Sequence, residues 1–499
     1  MHTIMPVLVV ISFVLTLTAC ETKIETSPTL PIPVVYEFTK VQTATEIFPT
    51  ATSTTTPELV PSVIEPLNGK QTRYEIDILL NFYNQYATVS QTTTYTNKTA
   101  SAIPEILFIV PPLAYPGSFN LTNLLDSSDE TITNYVWEGS NLRIPLAMPL
   151  QPDEQIIFKM NYDIRLPTRE GTFGLAGRQI NLANWYPFIP PFEETSGWIA
   201  EKMHVVNSLI VGEHLVYEIS DFMVNVRFTD RRENMKIAAP APLSESNGVL
   251  HYELPLARTF AMSISDVYVL EELTKDNLTI QVYTFKGNEA NAGATADLAA
   301  KSIALFSQIY SPYPRELFTV VEGEFEHNME YDGIVFISNG VIQFHNGTSK
   351  TNLTMLIPHE TSHQWFFSLV GNNQAQEPWL DEAFATYSEA LFYQMYYPEN
   401  LQWWWDNRVD FYDPQGFVNE TIYFPNGYVP YRNAIYLQGA RFFQRLRDVI
   451  GDDAYFAFLK DYVKKHSYKI ATGEDFFATL AEHTQADISP VLSDFFKNP

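Results

Sequence analysis

Between His359 and Glu389 the chain reads HETSHQWFFSLVGNNQAQEPWLDEAFATYSE, and no other stretch restricts the fold as tightly. It opens with His359-Glu360-x-x-His363. On a helix, residues four apart share a face, so both imidazoles can address one ion while Glu360 stands beside it. Two His in this arrangement bind zinc, and the Glu acts as general base on a water at the ion. A catalytic zinc usually keeps three protein ligands and one open position. Glu382, 19 positions after His363, is the candidate third ligand. It lies in a second apolar, helix-like run, WLDEAFATYSEALFYQMYY, beyond the polar break GNNQAQEP. Two antiparallel helices joined by that break would set Glu382 across from the two His. The alternatives are a hydrogen-bonded pair of helix histidines without an ion, or cobalt or manganese on the same ligands.

His-Glu-x-x-His, eighteen intervening residues, then Glu within Trp-Leu-x-Glu-x-Phe-Ala resembles the aminopeptidase N-like family of zinc metallopeptidases, the gluzincins. Here the blocks read HETSH and WLDEAFA, with Ala383 where the family usually has Gly. The resemblance implies one zinc ion on His359, His363 and Glu382, with Glu360 as the base. Ahead of it, HNMEYDG (residues 327–333) places Glu330 29 positions before His359, a spacing comparable with the family's Gly-x-Met-Glu-Asn. That Glu binds the α-amino group of the substrate in the family. Met329 and Glu330 match, whereas His327 replaces Gly and Tyr331 replaces Asn. The alternative for Glu330 is an acid on an edge strand facing solvent. Tyr436, followed by Leu-Gln-Gly-Ala, resembles the family's Tyr-x-x-Gly-Ala, whose phenol hydrogen-bonds the oxyanion; otherwise it is a core Tyr. Glu389, two helical turns after Glu382, and Asp381, beside it, are expected to orient ligand histidines from behind. An exposed helix acid is the other reading of Glu389.

From Arg73 to about Glu272, segments such as TRYEIDILLNFY, QIIFKMNYDIRL, SLIVGEHLVYEIS and FMVNVRFT alternate or run apolar, rich in β-branched and aromatic residues. They predict an antiparallel β domain of sandwich or saddle type over 71–272. NWYPFIPPFEE (184–194) and LARTFAMSIS (256–265) resemble the family's β domain at its Phe-Pro segment and at its close. That domain often lends an acid or amide to the substrate amine. Gln179 lies in the right region, and a surface-loop residue is the reading preferred for it. From Leu273 the pattern turns mixed, with strands LTIQVYTF, FTVVEG and GIVFIS, a helix over ANAGATADLAAKSIALFSQIYSPYP, and helices to the end. The resemblance implies a thermolysin-like α+β catalytic domain over 273–499. Longer members continue into a helical C-terminal domain, so a chain stopping at Pro499 is expected to have a more open cleft.

Residues 4–19 are an apolar segment of signal-peptide length, ending Leu17-Thr18-Ala19-Cys20. Small residues before Cys resemble a bacterial lipoprotein processing site, so 1–20 is expected to be a signal segment with Cys20 lipidated. The stretch before Cys20 opens Met-His-Thr, without Lys or Arg, and a plain cleaved signal or an uncleaved anchor is the alternative. Residues 21–70, rich in Thr, Pro and Ser, have little to bury and predict a disordered spacer. Cys20 is the only cysteine, which excludes an internal disulfide, thiolate ligands and a Cys nucleophile. A net charge of −27 argues against nucleic acid or an anionic membrane surface as partner.

The combined expectation is an exported, membrane-tethered zinc aminopeptidase acting on peptides or proteins. An endopeptidase, or another zinc hydrolase on the same site, is the second reading. A non-catalytic, peptide-binding surface lipoprotein is the third. Preferred side chain, natural substrate and oligomeric state are not encoded in any of these motifs.

Overall fold

The computed structural model describes residues 69–424 and 427–498. The signal segment, Cys20 and all but the end of the Thr/Pro/Ser-rich stretch lie outside the described residues.

Period-two alternation builds the first half. Thr72–Asn81 buries Thr72, Tyr74, Ile76, Ile78 and Leu80 and turns the residues between them outward, as a strand covering a core on one face must. It is central in a seven-stranded sheet ordered Ser244–Ser246, Val249–Ala257, Ser220–Phe228, Thr72–Asn81, Tyr86–Thr96, Gln155–Arg165, Phe119–Leu125. A four-stranded and a three-stranded sheet close over the same apolar core. The two family-like stretches meet inside it, where the Trp185 indole donates to Phe260 O at 3.0 Å.

Two expectations need correction here. The large sheet is antiparallel except that Thr72–Asn81 and Ser220–Phe228 run parallel. A parallel pair requires a long crossover rather than a hairpin, and alternation looks the same in either case. The run SLIVGEHLVYEIS is also not one strand. Within it Leu209–Ile210 pairs in a short hairpin with Val205–Val206, and only Ser220 at its end belongs to the large sheet. Gly212 then takes φ +66°, and a Cβ there would stand 2.4 Å from Ile422 Cγ2. The chain therefore turns against the second half of the molecule before rejoining the large sheet at Ser220.

The second half starts from a five-stranded mixed sheet, ordered Tyr268–Lys275, Leu278–Phe285, Leu317–Gly323, Ile334–Ser338, Met329–Tyr331. Its first strand runs across residue 272, so this sheet begins slightly ahead of the change in hydropathy pattern. Helices cover it: α1 (Ala292–Ile309), α2 (Asn352–Ser362), α3 (Trp379–Tyr396) and α4 (Gln438–Ile450). α2 packs between α1 and α3, and α4 packs on α3. Thr351 caps α2 by accepting from Thr354 N. Phe366, just past α2, stacks on Phe384 of α3 with ring centroids 4.0 Å apart, which fixes the two helices relative to each other.

One side chain sews the halves together. The buried Arg258 guanidinium donates to the carbonyls of Tyr217, Phe367, Ser368, Leu369 and Lys469. Gly371 makes room for it, since a Cβ there would lie 2.4 Å from Arg258 Cζ. Among the described residues, no helix is long and apolar enough to cross a membrane.

Candidate metal and catalytic site

α2 carries His359 and Glu360, and His363 follows as its last residue in helical geometry. α3 opens with Asp381 and Glu382 in its first turn, where the helix dipole favours acids. The two helices bring His359, His363 and Glu382 together, their ligand atoms all within 4.8 Å of one another. His359 Nε2 lies 3.2 Å and His363 Nε2 3.7 Å from Glu382 Oε2. The other nitrogen of each ring is committed: His359 Nδ1 to Glu389 Oε1 at 2.9 Å, His363 Nδ1 to Asp381 Oδ1 at 2.5 Å. Each Nδ1 thus donates to a carboxylate, which leaves each Nε2 facing Glu382 as the ring atom that could hold an ion. Glu382 Oε2 is buried without a hydrogen-bond partner, a state that is costly unless a cation sits there. Two imidazole nitrogens and one carboxylate oxygen are the donor set of a catalytic zinc site, and these residues fit one.

The supports behind the ligands are buried too. Glu389, wholly enclosed rather than exposed, also accepts from Trp404 Nε1 at 2.9 Å and from Arg408 at 2.8 Å. Arg408 and His359 overcome the effect of burial and hold the Glu389 carboxyl below its ordinary range. Asp381 accepts from Gln374 Nε2 at 2.7 Å.

Glu360 is 5% exposed, and burial pushes its carboxyl up to about 7 despite the two neighbouring histidines. That range suits a group that must both take and return a proton. Tyr436 sits in a π-helical turn, Asn433–Leu437, directly before α4; such turns re-aim side chains at functional sites. Its ring lies parallel to His359 with centroids 6.0 Å apart. Burial and the Glu382 carboxylate hold its phenol well above the ordinary range, so it stays a proton donor.

Glu330 lies on the edge strand Met329–Tyr331, yet it is buried, not solvent-facing, with Oε1 unpartnered. Gln364, next to His363, ties this strand to the metal helix: its Nε2 donates to Tyr331 O at 3.0 Å and its Oε1 accepts from Gly333 N at 2.8 Å. Met329 flanks Glu330, half-buried. The departures from the family motif point elsewhere, His327 against the Phe325 ring and the Tyr331 hydroxyl toward Thr172. Gln179 is neither a loop residue nor part of the site. It is buried in the strand Gln179–Leu182, its amide donating to Glu322 O and Ser263.

The β domain contributes a different acid, Glu213, missed in the sequence because it was absorbed into an expected strand. Glu213, Glu330 and Asp381 bring carboxylate oxygens within 4.8 Å of one another. Burial, then the Asp381 and Glu382 charges, push Glu213 up to about 8; burial and Glu213 raise Glu330 well above its ordinary value. The available signal was a Gly-Glu pair interrupting an apolar run. Gln364, Gln374 and Arg408 had no signal at all.

Residues 295–495 match the peptidase family M1 domain. Aminopeptidase M1-D of Oryza sativa subsp. japonica is 26% identical over 281 residues, 53% of this chain and 32% of its own length. Aminopeptidase N of Lactobacillus helveticus is 26% identical over 249 residues, 45% and 29% of the two chains. Endoplasmic reticulum aminopeptidase 1 of Homo sapiens is 23% identical over 295 residues, 54% and 31%. The chain thus spans about a third of the length of these relatives. Among solved structures, an M1 zinc metallopeptidase from Deinococcus radiodurans, in a mutant form, superposes with TM-score 0.59 at 16% identity over 86% of this chain and 95% of its own. The same mutant with a Tyr-Ser-Ala substrate bound covers 85% and 93%. The likeness is one of fold: a β-rich domain followed by an α+β domain.

Proposed function

We propose that the chain is a zinc-dependent aminopeptidase of the aminopeptidase N-like kind, a reading supported by the match of residues 295–495 to the peptidase family M1 domain and by the aminopeptidases it resembles. The observation that carries the reading is the buried, unpartnered Glu382 Oε2 facing two Nε2 atoms whose rings are each held by a carboxylate. His359, His363 and Glu382 would hold zinc, which supplies Lewis acidity toward a water and the scissile carbonyl. Glu360 takes the proton of the attacking water and delivers it to the leaving amine. Tyr436 donates to the oxygen on which charge develops. Glu330 and Glu213 face the substrate's ammonium and favour peptides with a free N-terminus. The Deinococcus enzyme's tripeptide is a substrate of this class.

The test is release of fluorophore from a panel of aminoacyl amides, with and without chelator, beside Glu360→Gln. Chelator-sensitive release that disappears in Glu360→Gln is the expected result. Cleavage of N-acetylated peptides at least as fast as of free ones would instead establish an endopeptidase. Zinc retained with no turnover of either would turn the reading to a binding protein.

Export and a lipid tether at Cys20 are part of the same proposal, supported by the apolar segment 4–19 and the Leu-Thr-Ala-Cys ending. Incorporation of labelled palmitate in a bacterial host, lost in Cys20→Ala, is the expected outcome. A protein secreted without label would retire the tether.

A further inference from the structure

Beside the histidine-bearing site, a second set of acids converges, and the one basic side chain bonded to it among the described residues is His363, through Nδ1 to Asp381 Oδ1. Glu213, Glu330 and Asp381 come from a β-domain loop, an edge strand and the first turn of α3, and one oxygen of each lies within 4.8 Å of the others. Ligand oxygens on opposite sides of one divalent ion are about 4–5 Å apart, twice a metal–oxygen bond of roughly 2.0–2.6 Å. Glu330 is 5% exposed and its Oε1 has no hydrogen-bond partner. The Gln374 amide donates to both Glu213 Oε2 (2.5 Å) and Asp381 Oδ2 (2.7 Å), which fixes the spacing of these two carboxylates. Each carboxylate oxygen carries two lone pairs, so that contact leaves both free to ligate further. Among the described residues, no Lys or Arg is bonded to Glu213 or Glu330.

We propose that Glu213, Glu330 and Asp381 form a second divalent-cation site, distinct from His359, His363 and Glu382, whose ion competes with the substrate's ammonium for Glu330. The donors are all oxygens, which suits a hard cation such as manganese, magnesium or calcium, whereas the imidazoles of the first site favour zinc. The two sites therefore sort metals by ligand chemistry. An ion at the second site covers the carboxylates that would otherwise receive the amine. The competition rests on the aminopeptidase reading; the site does not.

The experiment titrates the zinc-loaded protein with Mn²⁺, reading free Mn²⁺ by electron paramagnetic resonance and zinc by elemental analysis. One Mn²⁺ per chain with zinc retained is expected. Glu213→Gln should weaken Mn²⁺ uptake tenfold or more with zinc content and circular dichroism unchanged. An amino-acid amide with a free amine should displace the Mn²⁺, and its N-acetyl derivative should not. No uptake at millimolar Mn²⁺, Mn²⁺ taken up only as zinc leaves, or uptake unchanged in Glu213→Gln overturns the site. Uptake that the free amine does not displace overturns the competition. Failure of the aminopeptidase reading looks different: no residue is released, while Mn²⁺ still binds beside the zinc.

Discussion

Glu389 does for His359 what Asp381 does for His363, but only Glu389 is itself held by an arginine. In Glu389→Gln the charge that pairs with Arg408 is lost and the half-buried guanidinium is left uncompensated. Zinc affinity is expected to fall roughly 10–100-fold, measured by competition with a chromophoric chelator; an unchanged affinity would remove Glu389 from the metal's support. Glu360→Gln should retain zinc and lose activity by about 10²–10⁴-fold. Tyr436→Phe should cost about 10²–10³-fold in kcat, and a change confined to KM would argue for a packing role. These residues were legible because their spacing along the chain is set by the local geometry of a helix. Glu213 was not, since its place in the site depends on a loop folding back across more than a hundred residues of sequence. Gln179 is the complementary case: near a recognisable segment a surface-loop residue is expected, and the side chain instead points into the core from a strand.

At the scale of elements, α3 and α4 approach at Ala383 and Gly439, where a Cβ added to Gly439 would stand 2.3 Å from Ala383 Cβ. Gly439→Ala is expected to destabilise by about 1–3 kcal/mol, read as a lowered denaturation midpoint. Adding Ala383→Gly should recover much of that loss; a double variant no better than the single one would mean that the contact is not the cause. Strand Leu317–Gly323 carries the buried Glu322, which accepts from Phe285 N at 2.6 Å. Burial, only partly offset by hydrogen bonds, pushes its carboxyl up to about 7. The folded state therefore binds this proton more tightly than the unfolded chain, and the resulting stability, full below about 4.5, is lost as pH rises toward 7. Glu322→Gln should gain on the wild type in melting temperature across that interval. A pH-independent difference would show that the carboxyl ionises without cost. Most strands and helices could be read from periodicity, because one-sided burial imposes it. The run 208–220 could not, because apolar residues against the second half of the molecule look like apolar residues in a sheet.

For the whole molecule, the order of a β-rich half followed by a mixed half showed in the change of hydropathy pattern near Leu273. The seam between them did not show, as Arg258 is one basic residue among 31 and its partners are backbone carbonyls that every sequence possesses. Arg258→Ala should cost at least about 3 kcal/mol, since each buried acceptor left without a donor costs roughly 1–3 kcal/mol. Arg258→Lys should rescue little, because an ammonium cannot reproduce the planar fork; full recovery with Lys would reduce the seam to a simple charge effect. All five acceptors are gripped by one guanidinium, so the halves have no gradual way of parting. Withdrawing the side chain releases carbonyls from three distant parts of the chain in one event. A two-domain protein would ordinarily melt in two steps, whereas this one is expected to lose both halves in a single cooperative transition.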